Sequence, residues 1–382
     1  MIESILFNQT NQFFIHCIYK FKNKVIIIII RLGNMLMNWD NLSKNVLDGE
    51  KVSKENALAI LYSPNSELLS LLQASYKIRH NFFSNKVSLH LLRNVKSGVC
   101  PEDCSFCSQS TKAINDVERY DMQTVETIFN GAKAAVDRNS KRYCLVSSTR
   151  SPSPKEVDTI CEAVIKIKKE YPKLEICSSL GMLTEEKAIR LKKAGVNRFN
   201  HNLETSENFF PEVVTTHDFD DRVNTARIVK KVGLDLCCGG LFGMGESMQD
   251  RVDLAFALSE LDVDSVPVNF LDPRPGTAFH GKPNPLTPND CLRALAMMRF
   301  VIPSVEIRIA GGRETTLKHL QAMALYPANS MFTAGYLTTG GQDYETDKEM
   351  IESAGFEVEM NDDISNLPKK ENHQPALHPN HA

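Results

Sequence analysis

From residue 87 onward, short apolar runs alternate with longer stretches of helical periodicity, and no other feature restricts the fold as strongly. Eight runs read as strands: residues 87–95, 142–148, 174–179, 198–203, 234–239, 265–270, 305–309 and 329–332. The stretches that read as helices are residues 125–138, 155–170, 184–194, 220–231, 250–260, 289–300 and 314–324. Strands joined through helices run parallel and are covered on both faces. Eight such units are the count of an α/β fold of the (β/α)8 TIM-type barrel class. A doubly wound sheet is the rival, but it has about five or six strands, and no Gly-x-Gly-x-x-Gly opens a helix here. Gly195 and Gly233 stand where a helix should end and hand over to a strand. Upstream, residues 38–82 carry two or three amphipathic helices, among them 54–62 and 66–82, with Pro64 between.

The ends read differently. The longest pure aliphatic run, residues 25–30, is six long and lies between Lys24 and Arg31. A membrane span needs about 20 apolar residues, so this run cannot cross. It reads as an edge strand or an upstream extension of the reading frame, with the start expected at Met35 or Met37; a transit peptide is the rival. Residues 359–382 are polar, hold Pro368, Pro375 and Pro379, and read as a disordered tail. The expected organisation is an extension over 1–36, a barrel domain with N-terminal helices over 38–358, and a tail over 359–382. Hydrophobic residues are 42% of the chain, enough for a full core. Lys+Arg 44 against Asp+Glu 47 gives a net charge of −3, which excludes a strongly basic footprint for nucleic acid or membrane. Ten cysteines in 382 residues are too sparse for a disulfide scaffold, and a reducing cytoplasm is the expectation.

Three of those cysteines carry the chemistry. Cys100, Cys104 and Cys107 lie within eight residues, directly after the first expected strand. In a barrel this is the carboxyl end of the strands, where active sites are built. Thiolates suit zinc or iron–sulfur clusters. A closed zinc site needs four ligands, and no histidine stands between His90 and His201 to supply one locally. Three ligands leave one iron of a cubane open for a substrate or cofactor. Zinc completed by a distant residue remains the alternative. A second set sits inside expected strands: Cys144, Cys177 and Cys237, with Arg308 in a fourth strand. An interior cysteine is often only a small hydrophobe. A guanidinium in an apolar strand needs partners, and Glu306 is the nearest candidate because strand alternation puts both on one face.

The Cys-x3-Cys-x2-Cys loop resembles the radical S-adenosylmethionine superfamily. The strand cysteines, Arg308, the block Asn200-His201-Asn202-Leu203-Glu204-Thr205-Ser206, the block Ser265–Asn269 and the run Gly240–Glu246 resemble the biotin synthase family, over residues 38–358. The resemblance implies sulfur insertion into dethiobiotin, the last step of biotin biosynthesis, by a radical that acid–base chemistry cannot replace. It implies that Cys100, Cys104 and Cys107 hold a [4Fe–4S] cluster whose open iron takes S-adenosylmethionine. It also implies that Cys144, Cys177, Cys237 and Arg308 hold a [2Fe–2S] cluster that donates the sulfur. Phe106, Glu204 and Arg222 match positions that bind S-adenosylmethionine, although the family often has Asp or Asn where Glu204 stands. Asn202 and Asn269 match the amides that hold the ureido ring of dethiobiotin, and His201 reads as structural. The family works as a homodimer with a flavodoxin or ferredoxin donor. Cys238 stands where the family commonly has serine; alternation makes it a buried residue facing away from Cys237. Cys17, Cys161 and Cys291 read as structural. Another radical S-adenosylmethionine enzyme, such as a hydrogenase-cofactor maturase or a thiamine-pathway enzyme, is one competing reading. A non-catalytic iron–sulfur or zinc protein is the other.

Overall fold

The computed structural model describes residues 37–359 apart from 99, 283–285 and 339, together with the backbone of two strands, Phe13–Phe21 and Lys24–Leu32. Those two strands pair antiparallel with each other and, among the described residues, with no other strand; the aliphatic run 25–30 lies in the second. Glu359, the first residue of the expected tail, accepts from Lys141 Nζ at 2.9 Å; the rest of that tail, residues 360–382, lies outside the described residues. Among the described residues no helix is long and apolar enough to cross a membrane.

Eight parallel strands close a barrel: β1 Lys86–Lys96, β2 Arg142–Ser147, β3 Glu175–Ser179, β4 Arg198–Asn200, β5 Asp235–Cys237 with its continuation Gly240–Phe242, β6 Ser265–Phe270, β7 Glu306–Ile309 and β8 Ser330–Phe332. They pair in order, and β8 returns to β1 through Met331 opposite Leu89. Every expected strand is present. Of three upstream helices, α1 Trp39–Leu47 packs on α3 Leu68–Phe83, and α3 and α2 Lys54–Leu61 pack on the helix Pro288–Val301.

The helices around the barrel start where local chemistry says they should. Ser153 and Glu156 form a reciprocal capping box with Pro154 in the first turn, and Asp218 with Asp221 does the same. Gly195 takes the left-handed conformation, φ +105°, that ends the helix Glu185–Ala194. The expected helix 314–324 is a short α-helix, Arg313–Leu317, followed by 3-10 turns over Lys318–Leu325, because Lys318 turns the chain at φ +52°. A further helix, Tyr344–Ser353, and a strand, Glu357–Val358 beside β1, extend the barrel beyond the elements expected from pattern.

Alternation along the strands sorts residues into two environments. Leu89, Leu91, Tyr143, Leu145, Ile176, Phe199, Leu236, Ile307 and Ile309 join the apolar core under the helices. Each buried aliphatic or aromatic side chain there contributes about 1.5–3 kcal/mol. The other face lines the barrel and is unusually polar: His90, Arg142, Arg198, Ser265, Glu306, Arg308 and Ser330 are all buried. Barrel interiors are ordinarily filled by branched aliphatics. A polar interior is retained only where each group finds a partner.

Candidate active site

The floor of the site is built by three strands. Cys144 faces Cys177 directly across β2 and β3, and Cys237 on β5 completes a buried group with Ala310 and Phe332. The three thiols perturb one another: Cys144 pushes Cys177 up to about 12 and is itself lowered by Cys177, while burial raises Cys237. Arg308 Nη1 lies 3.6 Å from Cys237 Sγ, and Asn200 Nδ2 lies 3.3 Å from the same sulfur. Cys238 faces the other way, into the core beneath the helices, as alternation requires.

Beneath the thiols lies an ionic layer. Glu306 accepts from Arg142 Nη1 and Arg198 Nη1, each at 3.0 Å, and from Arg308 Nη2; Ser265 Oγ at 3.2 Å and Ser330 Oγ at 3.1 Å donate as well. Burial alone would raise the Glu306 carboxyl, but Arg142, Arg308, His90 and Arg198 hold it well below the usual range. Burial also drives His90 neutral. Arg308 is a firmly protonated guanidinium, since Glu306 outweighs the effect of burial. The salt bridge expected between Arg308 and Glu306 is therefore present. Arg142 and Arg198 were not legible as part of it, because Glu306 lies 164 and 108 residues away from them along the chain.

The rim carries the loop thiols. Cys100 N donates to Gln109 O at 2.8 Å and Cys107 N to Cys104 O at 3.1 Å, so the loop folds back on itself. Burial pushes Cys104 up to about 12 and Cys107 up to about 11. Phe106 packs with Cys104 beside Phe210, Leu241 and Leu271. Between the loop and the floor lies a cavity of about 320 Å³ lined by Cys100, Cys104 and Cys107 from the loop and by Cys144 and Cys177 from the floor.

The remaining residues read from the sequence meet at this cavity. Asn202 Oδ1 accepts from Gly239 N at 3.1 Å and from Asn200 Nδ2 at 3.2 Å. Asn269 is held at both ends, accepting from Gly311 N at 2.9 Å and donating to Gly240 O at 3.2 Å. Glu204 takes a left-handed backbone, φ +70°, and its carboxyl is raised by burial despite Arg222 at 3.7 Å. A strained backbone at a ligand-facing residue is a common mark of function. Gly239 lets β5 break here: a Cβ would stand 1.9 Å from Pro267 O on β6. His201 is buried and neutral, and its Nε2 has no hydrogen-bond partner among the described residues.

The residues fit an anionic iron–sulfur group at the floor. Three buried thiols face three buried guanidinium groups around one interior carboxylate, Glu306, while the half-exposed Glu175 and Asp235 pair with Arg142 and Arg198 from the edge. The Nε atoms of Arg142, Arg198 and Arg308 have no hydrogen-bond partner among the described residues. Thiols held protonated by burial lose their protons to a bound metal. Among the described residues no three His, Cys, Asp or Glu side chains converge as a site for a single ion. In a cluster the thiolates would be divided between the irons instead of converging on one ion, so a wider spread is compatible with it.

Family models match the chain in two adjoining stretches: the Radical SAM superfamily over residues 94–258 and the Biotin and Thiamin Synthesis associated domain over residues 267–357. A biotin synthase from Salinibacter ruber is 50% identical over 319 residues, covering 84% of this chain and 88% of the relative. Biotin synthases from Lysinibacillus sphaericus and Geobacillus thermodenitrificans are 47% and 48% identical, each covering 85% of this chain and 97% of the relative. Among solved structures, methylornithine synthase superposes with a TM-score of 0.74 at 21% identity, covering 85% of this chain and 99% of that one. An [FeFe]-hydrogenase maturase from Carboxydothermus hydrogenoformans gives 0.71 at 19%, covering 84% and 79%; these two likenesses concern the fold alone. Half of the aligned residues are shared with a biotin synthase over nearly the whole of both chains, and so the chain belongs to the biotin synthase family.

Proposed function

We propose that this cavity is where dethiobiotin becomes biotin. The chain is a sulfurtransferase of the radical S-adenosylmethionine type, acting in biotin biosynthesis with S-adenosylmethionine, a [4Fe–4S] cluster and a [2Fe–2S] cluster. When bound, the first cluster with S-adenosylmethionine supplies hydrogen abstraction and the second supplies sulfur. In our reading Cys100, Cys104 and Cys107 hold the [4Fe–4S] cluster and leave one iron for S-adenosylmethionine. Arg222 receives its carboxylate, Glu204 its ammonium group, and Phe106 packs on its adenine. Asn202 and Asn269 receive the ureido ring; an amide presents both donor and acceptor, and their existing bonds fix each rotamer beforehand. Cys144, Cys177, Cys237 and Arg308 hold the [2Fe–2S] cluster. On that role Arg308 gives up the proton it keeps here, or the cluster accepts it as a charge partner alone.

One observation carries this reading: the three loop thiols and two of the strand thiols, Cys144 and Cys177, line one cavity, with Cys237 buried beside those two. The buried apolar and amide-lined wall between them suits a small ligand that must be kept from water. We further propose a flavodoxin or ferredoxin donor, a homodimer, and a cytoplasmic site in keeping with the free cysteines. The test is Cys104→Ala. After anaerobic reconstitution with iron and sulfide, this variant should retain the [2Fe–2S] absorption and form no 5′-deoxyadenosine. Continued formation of 5′-deoxyadenosine would remove the loop from the reaction.

A further inference from the structure

The segment 213–217 clasps the cysteine loop at several points. Ser105 N donates to Val213 O at 3.0 Å, and Asp103 accepts from Thr215 N at 2.9 Å and Thr216 N at 3.2 Å. Glu102, which stands two residues from both Cys100 and Cys104, accepts from Thr216 Oγ1 and lies 2.5 Å from His217 Nδ1. The chain of contacts continues beyond the clasp. Arg222 Nε donates to His217 Nε2 at 3.1 Å, and Arg222 Nη1 donates to Asn202 O at 2.9 Å. Glu102, His217 and Arg222 are all buried.

These contacts settle the state of His217. Its Nε2 accepts the Arg222 Nε–H, so the ring proton sits on Nδ1 and points at the Glu102 carboxylate. Burial and the nearby Arg222 lower its pKa, in keeping with a neutral ring. The imidazole is thus a fixed connector with one donor end and one acceptor end. It joins the loop that carries the rim thiols to a guanidinium that lines the cavity. Arg222 would otherwise have several rotamers available, and ordering so long a side chain costs about 1.5–2 kcal/mol.

We propose that His217 is a positioning residue for S-adenosylmethionine: it fixes the Arg222 guanidinium in register with the Cys100–Cys107 loop through Glu102. This rests on the proposed role of Arg222 toward the carboxylate of that cofactor. Two N–H groups of Arg222 are spent on His217 and Asn202, which leaves the others for a carboxylate, the geometry in which arginine binds best. The cofactor's carboxylate would then be placed relative to the open iron by a hydrogen-bonded path that includes the loop itself. Asp103, Thr215 and Thr216 hold the loop without help from His217, so its loss should leave the cluster in place.

The experiment uses the full chain, anaerobically reconstituted with iron and sulfide, and measures three things. These are iron content with the visible spectrum, S-adenosylmethionine binding by equilibrium dialysis, and the KM and kcat for 5′-deoxyadenosine formation. His217→Phe keeps the ring volume and removes both hydrogen bonds. It should hold iron as the parent does, bind S-adenosylmethionine about tenfold more weakly and raise KM more than it lowers kcat. His217→Gln restores an acceptor for Arg222 and should recover most of the affinity. If His217→Phe does not fold, His217→Leu is read in the same way. Unchanged affinity in a variant that holds its clusters overturns the inference. So does loss of [4Fe–4S] iron in both His217→Phe and His217→Gln, which would make His217 a strut for the loop. If the parent protein with its clusters binds no S-adenosylmethionine, the proposed function itself fails, and that result is distinguishable from the other two.

Discussion

Cys237 and Cys238 are adjacent and alike, yet the barrel separates them completely. Cys237 stands with Cys144, Cys177 and Arg308 inside the barrel, whereas Cys238 joins the apolar core under the helices. Cys237→Ser should therefore lose the [2Fe–2S] absorption and biotin formation. Cys238→Ser should keep both and lose about 1–3 kcal/mol of stability, because a hydroxyl replaces a thiol among apolar neighbours. Iron content and visible spectra of the two reconstituted variants decide this; the reverse pattern would mean that the register of β5 is off by one. Glu306 offers a second test at this scale. It is the one interior carboxylate in contact with Arg142, Arg198 and Arg308. Glu306→Ala leaves Arg308 without its counter-charge and Arg142 and Arg198 with only the edge carboxylates Glu175 and Asp235, at a cost of about 3–5 kcal/mol in urea unfolding of the cluster-free protein. A loss below about 1 kcal/mol would show that Glu175 and Asp235 at the edge carry the neutralisation instead.

At the scale of elements, the sequence was read most successfully where pattern is local. The eight strands and their intervening helices stand close to the expected bounds, because apolar period and capping residues such as Ser153 and Gly195 act over a few residues. Two features escaped for a physical reason. The turn at Lys318 is a backbone event with no side-chain signal. The ionic layer under the thiols joins β1, β2, β4, β6, β7 and β8, so it exists only once the barrel has closed. The site was legible in its thiols, whose spacing is local on the loop, and in the blocks around Asn202 and Asn269. The connector His217 was not, since nothing in Thr215-Thr216-His217 marks it until Glu102 folds against it. The two strands of the extension pair with each other, and the first helix begins at Trp39 with Asn38 as its cap. A chain begun at Met37 should match the full chain in cluster content and activity and be at least as soluble, since an aliphatic strand is an aggregation liability. Failure of the shortened chain to fold would instead place the extension within the domain.

Across the whole molecule, two cores have been divided between the two faces of one sheet. The outer face is apolar and holds the helices; the inner face is polar and charged, and carries the floor thiols at one depth. A barrel built for stability alone would fill that interior with aliphatic residues. The gathering of three guanidinium groups around a single interior carboxylate, with Glu175 and Asp235 only at the edge, is accounted for if the interior exists to receive a sulfur-bearing anion. The central claim is that the floor cluster is the source of the sulfur in biotin. It is tested most directly by rebuilding the [2Fe–2S] cluster with isotopically heavy sulfide. The protein is then freed of unbound sulfide and allowed a single turnover with dethiobiotin and S-adenosylmethionine. The account predicts that the biotin formed carries the heavy isotope while the [2Fe–2S] absorption falls. Unlabelled biotin, formed while that absorption persists, would contradict it.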